Sequence, residues 1–364
     1  MPITTVGAIS TGPTKPFQLQ EVTVDDPCDD EVLVQITATG ICHTDLFFKG
    51  VIPAEMGPCL FGHEGAGVVA AVGAGIDDVR PGDHVVLSYR SCGECAYCQG
   101  GHPAYCEQSA ALNTLGLRAD GTPKLRSGDT ALLGNFFGQS SFAGYALAAR
   151  DNVVVVGNDV DLAVVAALGC GFQTGAGAVL NVLRPREDAR LVVYGTGSVG
   201  FAALLAARAI GVRTIVAVDP LPERRAQAEL FGAIAVDPNA DDAAAQINTA
   251  TSGGATHAID TTSIPAVISA ALAALATRGE LVVLGLGPSD VTINVQDLLL
   301  RGKVLRGCIE GESRVQEFIP ELVALYRNGR FPIDQLVTRY KHDDINRAIE
   351  DQEAGRVIKP VLLW

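Results

Sequence analysis

The chain has too few basic residues to suit an acidic macromolecular partner. Its 364 residues include 27 Lys and Arg against 41 Asp and Glu, a formal net charge of -14. Nucleic acids and anionic membranes usually bind a basic face, so this balance argues against both as partners. Small neutral or cationic substrates remain open.

Long apolar runs are also missing from the sequence. No stretch of 18 apolar residues occurs, and residues 1–12 contain no basic segment leading into an apolar one. A membrane-spanning helix needs an apolar stretch of that length, and a signal peptide needs a basic segment followed by an apolar one. Since neither is found, we expect a cytoplasmic protein. Nine cysteines are too few for a disulfide scaffold in a chain of this length, and their clustering favours metal binding.

The remaining composition is that of a globular protein. At 48% apolar and 19% charged residues, the chain is long enough for two domains. Up to about residue 150, short β-branched runs broken by Gly, Pro and Asp predict a mostly β domain. Its clearest predicted strands are residues 31–36, 67–72 and 83–87, whereas residues 116–134 predict a polar loop or excursion.

The pattern changes between residues 175 and 306, where apolar strands alternate with Ala- and Leu-rich helices. Strands are predicted at 191–194, 214–218, 233–236, 257–260 and 281–284, and helices at 199–210, 222–231, 241–251 and 265–276. This alternation predicts a parallel sheet covered on both faces. An amphipathic segment at 317–328 and an apolar strand at 360–364 follow, and this tail could return to the first domain.

Four cysteines have the spacing of a structural metal site. Cys92, Cys95, Cys98 and Cys106 follow the pattern C-x2-C-x2-C-x7-C. Four thiolates at this spacing can surround one ion in a site closed to substrate, which favours structural zinc. The alternatives are an iron–sulfur cluster or buried thiols without a metal.

A second group of possible ligands is spread along the chain. Cys42, His63 and, far downstream, Cys170 offer the N/S ligands that suit catalytic Zn²⁺, although the spacing alone leaves Cys170 open as a buried free cysteine. Asp45 is expected to accept the other imidazole N–H of His63, or else to cap a helix. Glu64 is a candidate fourth or transient ligand, or else an ordinary solvated or strand-paired carboxylate.

A dinucleotide-binding loop follows the strand at 191–194. Its G-x-G-x-x-G pattern has the required strand-turn-helix context and consists of Gly195, Gly197, Ser198, Val199 and Gly200, with Thr196 between the first two glycines. Backbone amides there can reach a pyrophosphate at the positive end of the helix. Asp219 closes the next strand, where a carboxylate can accept from ribose hydroxyls and repels a 2′-phosphate, which favours NAD over NADP; otherwise Asp219 is a turn residue before Pro220. Arg224 and Arg225 follow Asp219 closely in the sequence, and either could weaken the preference for NAD.

Taken together, four segments resemble the zinc-dependent medium-chain alcohol dehydrogenase family, and most closely its aryl (benzyl) alcohol dehydrogenases. They are residues 40–45 (GICHTD), 61–69 (FGHEGAGVV), 136–143 (FFGQSSFA) and 168–177 (LGCGFQTGAG). The resemblance implies an α/β protein with a discontinuous GroES-like mostly-β catalytic domain, residues 1–172 and 313–364, and a Rossmann NAD-binding domain with a doubly wound parallel sheet, residues 173–312. It also implies two zinc ions, with Cys42, His63 and Cys170 as the catalytic ligands.

The same resemblance assigns further roles. Thr44 would hydrogen-bond the alcohol, His43 and Lys359 would contact the NAD pyrophosphate, and Thr174 would lie beside the nicotinamide. Many family members carry a histidine five residues after the first zinc cysteine, where it ends a proton relay; here that residue is Phe47. The proton must then pass from Thr44 and the cofactor ribose directly to water, or through another group.

The predicted reaction is the reversible oxidation of a primary alcohol to an aldehyde, with hydride transferred to NAD. Aromatic and apolar side chains would form the walls of a pocket for benzyl-type alcohols, and the candidates are Phe47, Tyr89, Phe136, Phe137 and Leu286, any of which could instead be core. Alternatives are an aliphatic or thiol-adduct (formaldehyde-type) alcohol dehydrogenase, for which Arg90 and Arg118 are the basic residues to examine, and a non-catalytic NAD-binding structural or sensor protein. The long segment between Cys106 and Phe142 resembles dimeric members, so a homodimer is expected, with a tetramer as the alternative.

Overall fold

A computed structural model of the chain describes residues 1–118 and 120–364. These residues form two compact units: unit 1 comprises Met1–Cys170, Arg314–Val323 and Ile333–Trp364, and unit 2 comprises Gly171–Ser313 and Ala324–Pro332. The division into functional domains after residues 172 and 312 stays a prediction.

The strands are numbered along the chain. They are β1 (Ile3–Ser10), β2 (Gln18–Val24), β3 (Glu31–Gly40), β4 (Cys59–Leu60), β5 (Gly65–Val72), β6 (His84–Leu87), β7 (Leu125–Ser127), β8 (Thr130–Ala131), β9 (Tyr145–Ala149), β10 (Val153–Val156), β11 (Arg190–Tyr194), β12 (Thr214–Val218), β13 (Ile234–Val236), β14 (Ala255–Asp260), β15 (Leu275–Val283), β16 (Val304–Gly307), β17 (Val337–Lys341) and β18 (Lys359–Leu363).

The helices are numbered in the same way. They are α1 (His43–Val51), α2 (Ala96–Gln99), α3 (Ser109–Asn113), α4 (Leu162–Val165), α5 (Gly171–Gly177), α6 (Ser198–Ala209), α7 (Pro222–Leu230), α8 (Ala243–Ala250), α9 (Pro265–Ala273), α10 (Val295–Arg301), α11 (Val315–Arg327) and α12 (Ile345–Glu353). Short 3-10 helices span Ala54–Met56, Pro103–Tyr105, Phe136–Gly138, Arg150–Asn152, Ala166–Gly169, Glu310–Glu312, Ile333–Leu336 and His342–Asp344, and a π-helical segment spans Ala178–Leu183.

Unit 1 is built on two β-sheets, as predicted for the first part of the chain. One sheet has the order β4-β1-β2-β7-β8, and the other has the order β10-β6-β5-β3-β18-β17, with β9 also paired to β3. The last strand of the chain, β18, runs antiparallel to β3, with Val361 opposite Gly40. This pairing brings the C-terminal tail beside the strand that leads into Cys42.

Unit 2 contains the predicted parallel sheet, in the order β13-β12-β11-β14-β15-β16. The strand order changes direction at β11, which pairs with β12 on one side and with β14 on the other. Dinucleotides usually bind at such a switch point, at the carboxyl ends of the strands. All five predicted strands and all four predicted helices of this region are present, with ends shifted by at most a few residues except at β15, which begins earlier. The central strands β11 and β12 are nearly continuous apolar runs, as expected for strands of a parallel sheet covered on both faces.

Two expectations were wrong or incomplete. The segment at 116–134, predicted as a loop, carries the hairpin β7–β8, which extends the first sheet through pairing of β7 with β2; Ala119 within this segment lies outside the described residues. The short helix α1 and the edge strand β16 were missed, because each is too short or too exposed to show a clear periodicity.

A search of the described residues finds no single helix that is long and apolar enough to cross a membrane. One bent pair, Leu162–Gly169 with Gly171–Leu183, passes on length and composition alone.

Candidate active site

Four ligand-type side chains of unit 1 converge in its interior. The donor atoms of Cys42, His63, Glu64 and Cys170 all lie within 4.8 Å of one another, and all four residues are buried. Cys42 and Cys170 each lie just before a helix, α1 and α5, while His63 and Glu64 lie between β4 and β5. The fold thus joins the three segments that the sequence alone left unconnected.

Close backbone approach makes this convergence possible. A Cβ on Gly40 would lie 2.0 Å from Glu64 Oε2, and one on Gly169 would lie 2.1 Å from the Leu87 carbonyl oxygen. Gly62, beside His63, has φ +94, and a Cβ there would lie 2.5 Å from the Phe142 backbone nitrogen. Larger residues at these three positions would therefore displace the ligands or strain the backbone.

Asp45 organises two of the candidate ligands from the first turn of α1. Its Oδ1 lies 2.8 Å from His63 Nδ1 and accepts from Gly62 N at 3.0 Å, while Oδ2 accepts from Cys42 N at 3.0 Å. The carboxylate thus favours a proton on Nδ1 and leaves Nε2 as the coordinating nitrogen. Among the described residues, that buried Nε2 has no hydrogen-bond partner. An imidazole nitrogen left without a partner between two thiols fits a zinc ion.

The electrostatics of the cluster favour an ionised Cys42 thiol. Contact with the Cys170 thiol lowers the pKa of Cys42 well below its ordinary value against the effect of burial, and nearby His63 and Lys359 lower this pKa further. Burial disfavours a charged imidazole, but Asp45 holds the pKa of His63 well above its ordinary value. Thiolates are the form in which cysteines bind metal.

Glu64 is paired with Lys359, a contact that the sequence analysis missed. Lys359 Nζ donates to Glu64 Oε1 at 2.9 Å and Oε2 at 2.8 Å, and to the carbonyl of Ile41 at 3.2 Å, with both side chains fully buried. Burial lowers the pKa of Lys359, but the Glu64 carboxylate more than reverses that effect. The predicted contact of Lys359 with a pyrophosphate stays a prediction, and here its ammonium group neutralises Glu64.

Aromatic rings surround the imidazole of His63. Phe137 stacks on it with ring centroids 4.6 Å apart, and Phe136 meets it edge-on at 5.4 Å. Both rings belong to a turn with left-handed backbone at Asn135 (φ 63) and Phe137 (φ 49). Gln139 closes the turn by donating to the carbonyls of His63 and Ser88, at 3.0 and 3.2 Å, which the sequence analysis did not foresee.

The four-cysteine cluster forms on a more exposed loop of unit 1. The thiols of Cys92, Cys95, Cys98 and Cys106 also lie within 4.8 Å of one another. Backbone N–H groups point at the sulfurs, from Cys92 to Cys106 Sγ at 3.3 Å and from Cys95 to Cys92 Sγ at 3.4 Å. Such N–H contacts suit thiolates, and the four donors fit a tetrahedral zinc ion.

In unit 2, the glycine loop joins β11 to α6 as predicted. Gly195 has φ +85, and a Cβ on Gly200 would lie 1.9 Å from the Gly195 carbonyl oxygen, so both positions require glycine. A Cβ on Gly197, the N-cap of α6, would meet nothing within 4 Å. The loop thus leaves open space at a helix N-terminus, which fits the pyrophosphate of NAD. Asp219 follows β12 and is 2% exposed.

The other predicted site residues lie on both units. In unit 1, α1 contains Thr44, Phe47 and the exposed His43, and the buried Tyr89 follows β6. In unit 2, Thr174 is buried in α5, Ser198 and Val199 begin α6, and the exposed Leu286 follows β15. Arg224 lies in α7, with its Nη1 3.8 Å from Asp219 Oδ2. Their roles stay predictions.

Comparison with known proteins identifies the family of the chain. Residues 28–158 match the family described as "Alcohol dehydrogenase GroES-like domain", and residues 198–326 match "Zinc-binding dehydrogenase". The chain is 43% identical over 354 residues to geraniol dehydrogenase of Castellaniella defragrans, covering 96% of this chain and 95% of that protein. It is 33% identical to S-(hydroxymethyl)glutathione dehydrogenase of Paracoccus denitrificans, covering 99% and 100%.

Among solved structures, the crystal structure of benzyl alcohol dehydrogenase from Acinetobacter calcoaceticus is similar, with a TM-score of 0.95 and 39% identity, covering 99% of both chains. An alcohol dehydrogenase zinc-binding domain protein from Burkholderia ambifaria has a TM-score of 0.96 and 42% identity, covering 100% of this chain and 99% of the other. The chain therefore belongs to the zinc-dependent medium-chain alcohol dehydrogenase family, enzymes that use zinc and NAD.

Proposed function

We propose that this alcohol dehydrogenase oxidises primary aryl alcohols of the benzyl type to aldehydes, using NAD. The observation that carries the proposal is the stacking of Phe137 on His63, with centroids 4.6 Å apart, beside the edge of Phe136. Phe136 is fully buried in the core, so the partly buried Phe137 is the ring beside the metal ligand that would offer flat apolar contact to a substrate ring. Phe137 also has a left-handed backbone, with φ 49, and such strained conformations cluster at functional sites.

Each group of the site has a defined task in this proposal. Cys42, His63 and Cys170 would hold Zn²⁺, which when bound would act as a Lewis acid and lower the pKa of an alcohol hydroxyl. Asp45 fixes the imidazole through its 2.8 Å contact with Nδ1. Thr44, two residues after Cys42, would accept the hydroxyl proton of the alcohol, and the apolar rings would exclude water. NAD would supply the hydride acceptor.

Thiol adducts such as those of glutathione are the main competing substrates, and two cations bear on them. Such anionic adducts require basic groups near the pocket. Arg90, however, donates through Nε to both oxygens of Asp151, at 2.9 and 3.1 Å. Arg118 is likewise paired with Glu31 and Asp25. Because both cations already have carboxylate partners, the charge distribution favours a neutral substrate.

The similarity to geraniol dehydrogenase supports a second candidate, an allylic terpenoid alcohol. Such an alcohol is also a neutral primary alcohol with a π-system next to the reacting carbon. The ring of Phe137 would accept it through the same apolar contact.

Initial rates of NAD⁺ reduction decide between these substrates. We expect the zinc-loaded enzyme to oxidise benzyl alcohol with a kcat/KM well above that for ethanol and for S-(hydroxymethyl)glutathione. Phe137→Ala should lower kcat/KM for benzyl alcohol far more than for ethanol, while Phe231→Ala in unit 2 serves as a matched control for loss of a ring. A preference for geraniol would select the allylic candidate, and equal losses on both alcohols in Phe137→Ala would refute the aryl-binding role.

We further propose that the enzyme is a homodimer with no nucleic-acid partner. Supporting the dimer, β16 is the last strand in the order of its sheet, and the apolar side chains of Leu299, Leu300 and Val304 close to it are 76%, 82% and 45% exposed. A second copy of this chain could cover that apolar edge. Light scattering gives the mass directly, and a monomer at micromolar concentration would refute the dimer.

A further inference from the structure

Thr196, the residue between the first two glycines of the dinucleotide loop, is bonded to Asp219. Its backbone N–H donates to Asp219 Oδ2 at 2.8 Å, and its hydroxyl donates to the same oxygen at 2.9 Å. Thr196 is fully buried. It therefore cannot contact a bound cofactor directly in this structure, and any effect on the cofactor must pass through Asp219.

These bonds fix how the carboxylate is presented. A carboxylate has about four acceptor positions. The two hydrogen bonds from Thr196 occupy both acceptor positions of Oδ2, and Leu221 N donates to Oδ1 at 2.9 Å. Among the described residues, the remaining acceptor position on Oδ1 has no hydrogen-bond partner, so Oδ1 is the atom that would accept from a ribose hydroxyl.

The arginines of α7 show what Thr196 prevents. Arg225 is already bonded to other groups: its Nη1 donates to the carbonyls of Asp219 and Pro220 at 2.8 Å, and its Nη2 lies 2.9 Å from Asp237. Arg224 is held loosely, with Nη1 3.8 Å from Asp219 Oδ2 and a buried Nε that has no partner among the described residues. Without the Thr196 hydroxyl, Asp219 Oδ2 would keep only the backbone N–H of Thr196 and could approach Arg224, which would turn Oδ1 away from a ribose.

We propose that Thr196 is a positioning residue for cofactor selection: its hydroxyl stops Asp219 Oδ2 from closing the 3.8 Å separation from Arg224 and so keeps Oδ1 available for an adenosine ribose. The inference concerns the cofactor and goes beyond the proposed alcohol specificity. Its test needs no alcohol, so either proposal can fail without the other.

The test is calorimetric titration of the full-length, zinc-loaded protein with NADH and with NADPH. Thr196→Val removes the hydroxyl at nearly constant shape and should weaken NADH binding about tenfold, the scale of one hydrogen bond to a charged group. NADPH binding should weaken less, so the preference for NADH falls. Thr196→Ser keeps the hydroxyl and should stay within about threefold of the wild type.

A double-mutant cycle separates positioning from a merely structural role. If Thr196 acts through Asp219, then Thr196→Val added to Asp219→Asn should weaken NADH binding by no more than about twofold beyond Asp219→Asn alone. Additive losses, unchanged NADH binding in Thr196→Val, or equal wild-type affinity for NADH and NADPH would each overturn the proposal. Thermal denaturation verifies folding, and Thr196→Ala poses the same question should the valine variant unfold.

Discussion

The two cysteine clusters of unit 1 are assembled in opposite ways. The cluster of Cys92, Cys95, Cys98 and Cys106 comes from one short stretch and is largely half-exposed, whereas Cys42, His63, Glu64 and Cys170 come from distant stretches and are all buried. The first cluster is braced by its own backbone N–H groups. The second is braced by Asp45 and Lys359, which lie outside the ligand set. A closed local site suits a structural ion, and a buried, externally braced site suits catalysis.

Removing a ligand from the buried cluster should have the largest effect on activity. Cys170→Ala is expected to reduce zinc from about two ions per chain to about one and to reduce alcohol oxidation to background, because catalytic zinc needs three protein ligands. NADH binding should persist. Metal analysis and initial rates check this result, with Cys59→Ala as the control, since Cys59 is equally buried in unit 1 but belongs to neither cluster. Strong residual turnover in Cys170→Ala would contradict the assignment.

Removing ligands from the exposed cluster should instead act mainly on stability. Cys95→Ala/Cys98→Ala is expected to lose the other zinc and to lower the thermal unfolding midpoint, since metal binding at a structural site is coupled to folding. Protein that remains folded should still bind NADH. Metal analysis with a thermal melt distinguishes the outcomes: iron in the wild type would indicate a cluster of another kind, and an unchanged melt would remove the structural role.

An ion-pair network around Glu31 contacts the turn that packs on the buried cluster, and Glu31→Gln tests how much this network contributes to stability. Glu31, 4% exposed, contacts Arg118 at 2.9 Å and Lys124 at 3.1 Å, and Lys124 donates to Asn135 at the start of the turn that carries Phe136 and Phe137. We expect Glu31→Gln to lower the free energy of unfolding by about 2 kcal/mol near neutral pH, because a buried charged hydrogen bond is lost.

The effect of Glu31→Gln should depend on pH with a definite sign. Burial alone would raise the pKa of Glu31, but Arg118 and Lys124 hold this pKa below its ordinary value of 4.5. A carboxyl whose pKa is lower in the folded state stabilises the protein above its unfolded-state pKa, and this contribution disappears as the pH falls through the folded-state pKa. Denaturant melts should therefore show the gap between wild type and variant closing in acid. A gap that widens in acid would show that the network is not ionic.

The contrast between the clusters also explains how far the sequence could predict the molecule. The spacing of Cys92 to Cys106 lies within one loop, so the sequence alone predicts the grouping. Cys170 could be joined to Cys42 and His63 through a family resemblance, because no local pattern spans that distance. The Glu64–Lys359 pair links positions 295 residues apart and depends on the pairing of β18 with β3, which no local spacing reveals.

Unusual backbone conformation also limited what could be predicted from the sequence. Asn135 and Phe137, in the turn that carries the aromatic rings, both have left-handed backbone. Asparagine is enriched at positive φ, but phenylalanine is not, so the conformation of Phe137 could not be predicted from its residue type. The parallel sheet of unit 2 was predicted well because its strands alternate with helices and its central strands, β11 and β12, are apolar runs. Both patterns can be recognised within single segments of the sequence. Long-range pairs and strained turns arise only once the segments have packed.

The smallest expected effect concerns the proton path from the buried cluster. Phe47 lies in α1, 37% exposed and edge-on to Phe48 at 5.6 Å, where it cannot transfer a proton. Phe47→His places a group that titrates near neutrality at this position, so the pH dependence of kcat should change while NADH affinity does not. Phe47→Gln is the control, because it adds polarity without a titration near neutral pH. If the two variants share one pH profile, protons leave through Thr44 and water without help from position 47, and the buried cluster needs no relay in α1.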